Sequence, residues 1–324
     1  MNRSENKTSR ILQIEALLLG HPEGLFQAEI ARRLGVNRST INRYLPDLPA
    51  HIYIEEDGSW KIDRAAYLVN VRFNLHEALA VHLAARLLAT RMDRQNPHAA
   101  AALRKLGVAL EHLAPRISTH LQQSADVMDD DARRHDPTYL QALEKLTLGW
   151  ADLHKVRVWH RHQDSGRIEE YLFAPYFIEP YAIGQSTYAI GWREPPDALR
   201  TFKIERLERT ELTREPYTIP LDFNPQVLLA DAWGIWYTNA EPVEVVLRFL
   251  PRVAERVRET CWHSSQRIEE QGDGSLIWRS RIAEPLEMLP WIRGWGADVV
   301  VLEPGSLRQI VITEVEKLKA IYGV

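Results

Sequence analysis

Between Asn37 and Tyr44 the chain reads Asn-Arg-Ser-Thr-Ile-Asn-Arg-Tyr, side chains suited to gripping and reading duplex DNA. An arginine fork pairs with guanine, an asparagine amide pairs with adenine, and hydroxyls or further arginines reach phosphate. The candidate DNA contacts are therefore Arg32, Asn37, Arg38, Ser39, Thr40, Asn42, Arg43 and Tyr44. From Ile30 to Pro46 there is no acidic residue, although the whole chain carries a formal net charge of −4. The local distribution of charge, more than the total, decides whether a polyanion is attracted.

A second chemical group lies further along. If Arg200 to Arg206 runs as one strand, then Arg200, Phe202, Ile204 and Arg206 share a face and Lys203 lies on the other. That puts a guanidinium at each rim of an apolar strip. Tyr188 offers a ring and a hydroxyl, Thr187 stands beside it, and His160 and His162 share a face at the rim of such a pocket. Guanidinium forks with an aromatic platform are what a nucleotide or single-stranded oligonucleotide requires. The competing reading pairs Arg206 with Glu205 or Glu208 and puts Tyr188 in the core.

Catalytic chemistry finds less support. His160 and His162, with His154 nearby, suggest a metal site, but no third ligand is placed by the sequence. Asp129-Asp130-Asp131 reads as an exposed acidic linker or helix start. The single cysteine, Cys261, excludes an internal disulfide and any multi-cysteine metal site. A phosphate-cradling glycine loop, a nucleophile elbow and an HExxH motif are all absent from the sequence. The chain is expected not to be an enzyme and to need neither cofactor nor metal, with Trp278, Trp291 and Trp295 packing a core.

The elements that must position these groups follow from periodicity. Ile11, Ile14, Leu17 and Leu18 recur at helical spacing, with Thr8 or Ser9 as a cap. A short helix is predicted from Gln27 to Leu34, a turn at Gly35, and a third helix from Asn37 to Leu45, stopped by Pro46 and Pro49. Small Ala31 and the turn glycine give this stretch the form of a helix-turn-helix. Ile52 to Ile62 alternates around Asp57-Gly58, a hairpin that reads as a wing and adds Lys61 to the candidate DNA contacts. The competing reading is a three-helix domain that only packs against a partner.

Residues 75–121 are rich in Ala, Leu and Arg and predict two or three helices, including 75–91 and 98–113. A helix over 138–154 precedes strands at 156–160, 171–178, 186–192 and 200–204. Pro180 and Gly184 fall between the second and third of these. Short strands separated by turn residues predict a small, bent antiparallel sheet or barrel. At 324 residues, with 45% hydrophobic and 26% charged residues, the chain predicts several domains of a soluble multidomain α+β protein. The boundaries expected are 1–68 (winged helix), 69–135 (helical linker or dimerisation region), 136–218 (sensor) and 219–324 (α/β extension). No apolar run approaches the roughly 20 residues that span a bilayer, and no apolar core follows MNRSENKTSR, so a cytoplasmic protein without membrane contact is expected.

In this order the segments resemble the WYL-domain family of bacterial transcriptional regulators. The family's Trp-Tyr-Leu-like triplet corresponds to Thr187-Tyr188-Ala189, where only the tyrosine is kept. Its Arg-x-Phe-x-x-x-Arg-Ile-like segment matches Arg200-Thr-Phe-Lys-Ile-Glu-Arg-Leu207, and Pro175 falls where the family has a proline. Val243–Phe249, Trp262, Gly272-Asp-Gly274, Leu289–Gly296 and Asp298–Pro304 are similar to the family's C-terminal extension. The resemblance implies a homodimeric repressor that binds operator DNA, senses single-stranded nucleic acid and serves phage defence or the DNA-damage response. Two recognition helices would enter an inverted repeat with half-sites about 10 bp apart or a multiple of that. The alternative is an accessory protein that senses nucleic acid and modulates a partner enzyme.

Overall fold

The computed structural model describes residues 3–44, 47–49, 51–64, 73–91, 93–181, 185–238 and 240–323, and divides the chain into units at 1–219 and 220–324. In the first unit α1 (Arg3–Leu19), β1 (Leu25–Phe26), α2 (Gln27–Arg33), α3 (Arg38–Asn42), β2 (Ile52–Ile54) and β3 (Ser59–Ile62) form the head. Small Ala31 and Gly35, at φ +63°, allow the tight α2–α3 turn, closed by the Val36 N–H on the Ala31 carbonyl at 3.0 Å. Ile14, Leu18, Leu25, Ile30, Ile41, Trp60 and Ile62 are buried together beneath it. β3 lies between β1 and β2, and Asp57 ties the wing turn by accepting from the Ser59 N–H at 2.8 Å. Two expectations are corrected here. α1 starts at Arg3, so Thr8 and Ser9 lie inside it and do not cap it, and α3 stops at Asn42, leaving Arg43 and Tyr44 in a turn. Leu45, Pro46 and Gly184 lie outside the described residues.

Three helices follow: α4 (Leu75–Arg91), α5 (Pro97–Leu110) and α6 (Pro115–Asp129). Pro97 and Pro115 do not break a long helix but occupy first turns, where a missing N–H costs nothing. The second helix accordingly ends at Leu110 and not at residue 113. Asn74 and Asn96 cap α4 and α5 through their side-chain oxygens. Asp129 ends α6 instead of opening a helix, and its carboxylate takes a hydrogen bond from Arg104 at 2.6 Å.

The region expected to be the sensor comprises α7 (Pro137–Asp152) and the strands β4 (His154–Arg161), β5 (Ile168–Tyr181), β6 (Ser186–Glu194), β7 (Ala198–Lys203) and β8 (Leu207–Pro216). The antiparallel sheet has the order β7-β6-β5-β4-β8. Tyr139, Ala142 and Leu146 of α7 pack on Val156, Val158, Phe173, Ala189, Phe202 and Ile204. Residues 171–178 are part of a longer element than expected. They belong to one 14-residue strand whose register shifts between Pro175 and Phe177, where the proline cannot donate to the ladder. β7 ends at Lys203, and Ile204–Arg206 form a single 3-10 turn, so Arg206 does not continue the parity of Arg200 and Phe202.

The second unit holds α8 (Pro225–Leu228), β9 (Val243–Phe249), α9 (Pro251–Arg258), β10 (Arg267–Glu270), β11 (Leu276–Ile282), α10 (Leu289–Trp295), β12 (Val299–Glu303) and α11 (Gly305–Tyr322). Its sheet has the order β10-β11-β9-β12. Trp278 is fully buried in its core, with Trp233, Trp262, Trp291 and Trp295 packed around it. Buried Glu287 accepts from the backbone N–H groups of Gly234, Ile235 and Trp236, at 2.8 to 3.2 Å, and so anchors the loop ahead of β9.

Gly191 of β6 is a close-approach position. A Cβ there would collide with the Ala174 carbonyl oxygen of β5 and come within 2.9 Å of Phe173 Cζ. The obstacle is largely backbone and cannot rotate away. Gly191→Ala is expected to destabilise the sensor by about 1–3 kcal/mol or more, read by chemical denaturation. An unchanged denaturation midpoint would show that the two strands part freely at this point.

Candidate nucleic-acid interface

On the head, Arg38, Ser39, Asn42 and Arg43 are exposed, while Thr40 is half-buried. Tyr44 packs partly against the head core, and Asn37 occupies the N-cap position of α3 without a side-chain capping bond. Gln27, at the start of α2, links the two helices. It accepts from Arg38 Nε at 3.1 Å and donates to Asn42 Oδ1. Sequence reasoning missed Gln27, whose only signal was a polar side chain at the first position of the helix that crosses α3.

Arg32 has a different setting, because it forks onto Glu29 at 2.7 and 3.0 Å while Arg33 reaches the same carboxylate at 2.7 Å. These hydrogen bonds hold the Glu29 carboxyl down at about 2. The charge of Arg32 is thus locally compensated, whereas Arg38 and Arg43 have no carboxylate partner among the described residues. Lys61 stands 3.6 Å from Glu55 and lines a cavity of about 520 Å³. Arg64, Asp152, His154 and Arg214 line it too, and Arg64 bridges Asp152 at 2.7 Å and the Leu19 carbonyl at 2.6 Å.

On the sensor, strand pairing settles which side chains share a face. His160 lies opposite Glu169, Val158 opposite Tyr171, Phe173 opposite Arg193, Gly191 opposite Arg200 and Ala189 opposite Phe202. His160, Tyr171, Arg193, Arg200 and Phe202 therefore point to one side of the sheet. The His160 ring is 5.0 Å from Phe202 and 5.1 Å from His162, and the Arg193 guanidinium stands 4.9 Å over Tyr171. His162 contacts Glu169 at 3.0 Å and the Tyr171 hydroxyl at 3.2 Å. Arg206 donates to Gln163 at 2.5 Å, and Arg200 donates to the neighbouring Leu199 carbonyl.

Two expected ligand contacts are not brought to this group. Tyr188 pairs with Lys203, and both lie on the opposite face from Arg200 and Phe202. Thr187 is a correction of another kind: it is buried, its hydroxyl meets the Tyr139 hydroxyl at 3.0 Å, and its N–H is taken by Glu205. A side chain so committed has little left for a ligand. Arg193 and Tyr171 were missed, although Arg193 is two residues from Gly191 and so shares its parity.

Three family models match successive parts of the chain. An IclR helix-turn-helix domain covers residues 8–58, a WYL domain covers 141–212 and a WCX domain covers 241–319. The chain has the architecture of a WYL-domain transcriptional regulator. A helix-turn-helix followed by a WYL domain is the domain order of that architecture. No curated protein matches it. Among solved structures it is similar to proteasome accessory factor B/C (PafBC) of Arthrobacter aurescens, at 19% identity and a TM-score of 0.32, over 94% of this chain and 47% of that one. The WYL-domain chain thus spans about half the length of that protein. A CRISPR Cas-related protein is similar over 79% of this chain and 75% of that one, at 10% identity and a TM-score of 0.43. Among the described residues, no helix is long and apolar enough to cross a membrane, and no cluster of three or more His, Cys, Asp and Glu could hold a metal.

Burial, then the charges of His162 and Arg206, lower the His160 pKa to about 4 against a weaker opposing pull from Glu169. The ring is neutral at pH 7. Because the folded value lies below the ordinary 6.5, its stabilising contribution is complete above pH 6.5 and is lost as pH falls toward 4. An NMR titration should place the His160 midpoint at about 4. A midpoint near 6.5 would mean that water reaches the ring freely.

Proposed function

We propose that this regulator is a cytoplasmic homodimeric repressor whose operator affinity is set by a nucleotide or single-stranded nucleic acid bound at the open end of the WYL sheet. The carrying observation is the convergence of Arg193, Arg200 and Arg206 with Tyr171, His160 and Phe202. Arginine forks suit phosphate and aromatic rings suit bases, so a phosphate-bearing, base-bearing ligand fits this group best. His162 belongs at its rim, and Lys203 and Tyr188 offer a second, separate contact on the reverse face. The chain is read as a binding protein and not as an enzyme.

The operator contacts are assigned to Arg38, Ser39, Asn42 and Arg43, oriented by Gln27, with Arg32, Asn37, Thr40, Tyr44 and Lys61 in supporting places. Support for a homodimer comes from α11, where Val315, Leu318, Ile321 and Tyr322 leave at least half of their apolar surface in solvent. A two-fold dimer would present two α3 helices to an inverted repeat.

The test is binding to DNA from the upstream region of its own gene across a salt series, with and without single-stranded oligonucleotide. Arg38→Ala with Arg43→Ala should weaken operator binding by about 1–3 kcal/mol for each lost base contact while the melting midpoint stays put. Undiminished affinity would remove α3 from the interface. Arg200→Ala with Arg206→Ala should keep operator affinity but abolish an effector shift of about 5- to 150-fold. A shift that survives this double substitution would place the effector elsewhere.

A further inference from the structure

Glu205 sits in the three-residue turn between β7 and β8, next to Arg206, with its side chain only 4% exposed. Its Oε1 accepts the Thr187 N–H at 2.9 Å, and its Oε2 has no hydrogen-bond partner among the described residues. A buried carboxylate oxygen without a donor is costly, and burial accordingly raises the pKa of this group. Arg94, from the segment between α4 and α5, faces it with Nη1 4.0 Å from Oε1, too far for a hydrogen bond.

Arg94 is itself nearly buried and is held elsewhere. Its Nε donates to Asp136 at 3.0 Å, its Nη1 donates to Asp93 at 2.9 Å, and its guanidinium stands 5.3 Å over the Tyr139 ring. Asp136 caps α7, and the Tyr139 hydroxyl meets Thr187, whose N–H returns to Glu205. The circuit closes on itself. It joins the effector turn to the backbone around Arg94, where the Gln95 N–H donates to the Arg134 carbonyl at 3.1 Å and the Arg134 N–H donates to the Asp93 carbonyl at 3.0 Å.

We propose that Glu205 and Arg94 form a two-position contact that transmits occupancy of the Arg206 turn to the helical segment. In the arrangement seen, Arg94 belongs to Asp136 and Asp93 and stands off from Glu205. Moving the turn by about 1 Å would bring Nη1 and Oε1 to the ~2.8 Å of a charge-assisted hydrogen bond, giving a buried carboxylate held by one N–H a second, charged donor. A ligand that draws on Arg206 supplies such a displacement, because Arg206 and Glu205 are consecutive in one short turn. Glu205 and Arg94 are thus positioning residues that need not touch the ligand. This rests on the reading above that Arg206 meets the effector.

Hydrogen exchange at the Gln95 and Arg134 amides of the full chain, with oligothymidylate as the probe, tests the contact. In the parent protein the probe should change exchange at both amides by about 10-fold, within the range of allosteric coupling. Glu205→Gln, which keeps an acceptor for the Thr187 N–H, should melt like the parent, bind the probe within about 2-fold of it, and lose that change; Arg94→Lys, which gives up bonds to Asp136 and Asp93, should lose the change as well. If the change persists in both variants, the contact is not the transmitter. If the parent does not bind the probe, the effector reading fails and the contact is judged without ligand. Arg206→Ala should then alter exchange at the two amides, and adding Glu205→Gln should cancel the effect. Exchange unaltered by Arg206→Ala would overturn the inference.

Discussion

Packing of α7 onto one face of the sensor sheet is the constraint on which the rest of that domain depends. Tyr139, Ala142 and Leu146 bury Val156, Val158, Phe173 and Phe202, and each fully buried side chain of this size is worth about 1.5–3 kcal/mol. A one-residue slip in any strand would turn that apolar set to solvent, so the register is strongly held. Once it is held, the side chains at the uncovered end have no freedom of side. His160, Tyr171, Arg193 and Arg200 must share the space beyond Phe202 because they share parity with the core beneath them. The candidate site is in this sense the rim of the core-facing side, where Arg193 and Arg200 continue a face on which Tyr171 and Phe202 are still buried.

In the head, the same economy acts through charge. Arg32, Arg33, Arg38 and Arg43 look equivalent in the sequence, but Glu29 takes the first two and leaves the others without a carboxylate partner among the described residues. Exposed ion pairs of this kind add little stability. Their consequence is a directed field: the uncompensated arginines lie in and beside α3, and Gln27 fixes the direction of one of them. At physiological salt such a field extends only about 8 Å. A chain with net charge −4 can therefore present a locally attractive surface to DNA.

Much of this was legible in the residues. The Ala31 and Gly35 pair, the Asp57-Gly58 hairpin and the alternation through β4 and β6 are local signals, and the structure has the elements they predict. What could not be read depended on partners distant in sequence. Nothing local shows that β7 ends at Lys203: Ile204 is buried like Phe202, and the strand-like alternation runs on through a turn. Nothing local separates Tyr188 from Arg200, because their faces differ only once β6 and β7 are paired. The commitment of Thr187 to Tyr139, 48 residues away, is likewise a tertiary fact. Pro97 and Pro115 are a simpler case: proline both ends helices and begins them, and here each stands in the first turn of one.

The sensor's own electrostatics bear on how an effector would be felt. A neutral, largely buried His160 beside Arg206 makes this group of side chains less positive than its residue count suggests. An entering phosphate would stabilise the protonated ring and raise its pKa, adding a positive charge where the ligand's negative charge has just arrived. Binding would then draw a proton along with the anion, and by linkage would tighten as pH falls. Glu169, already held low by the Tyr171 hydroxyl and His162, stays ionised throughout and limits that gain.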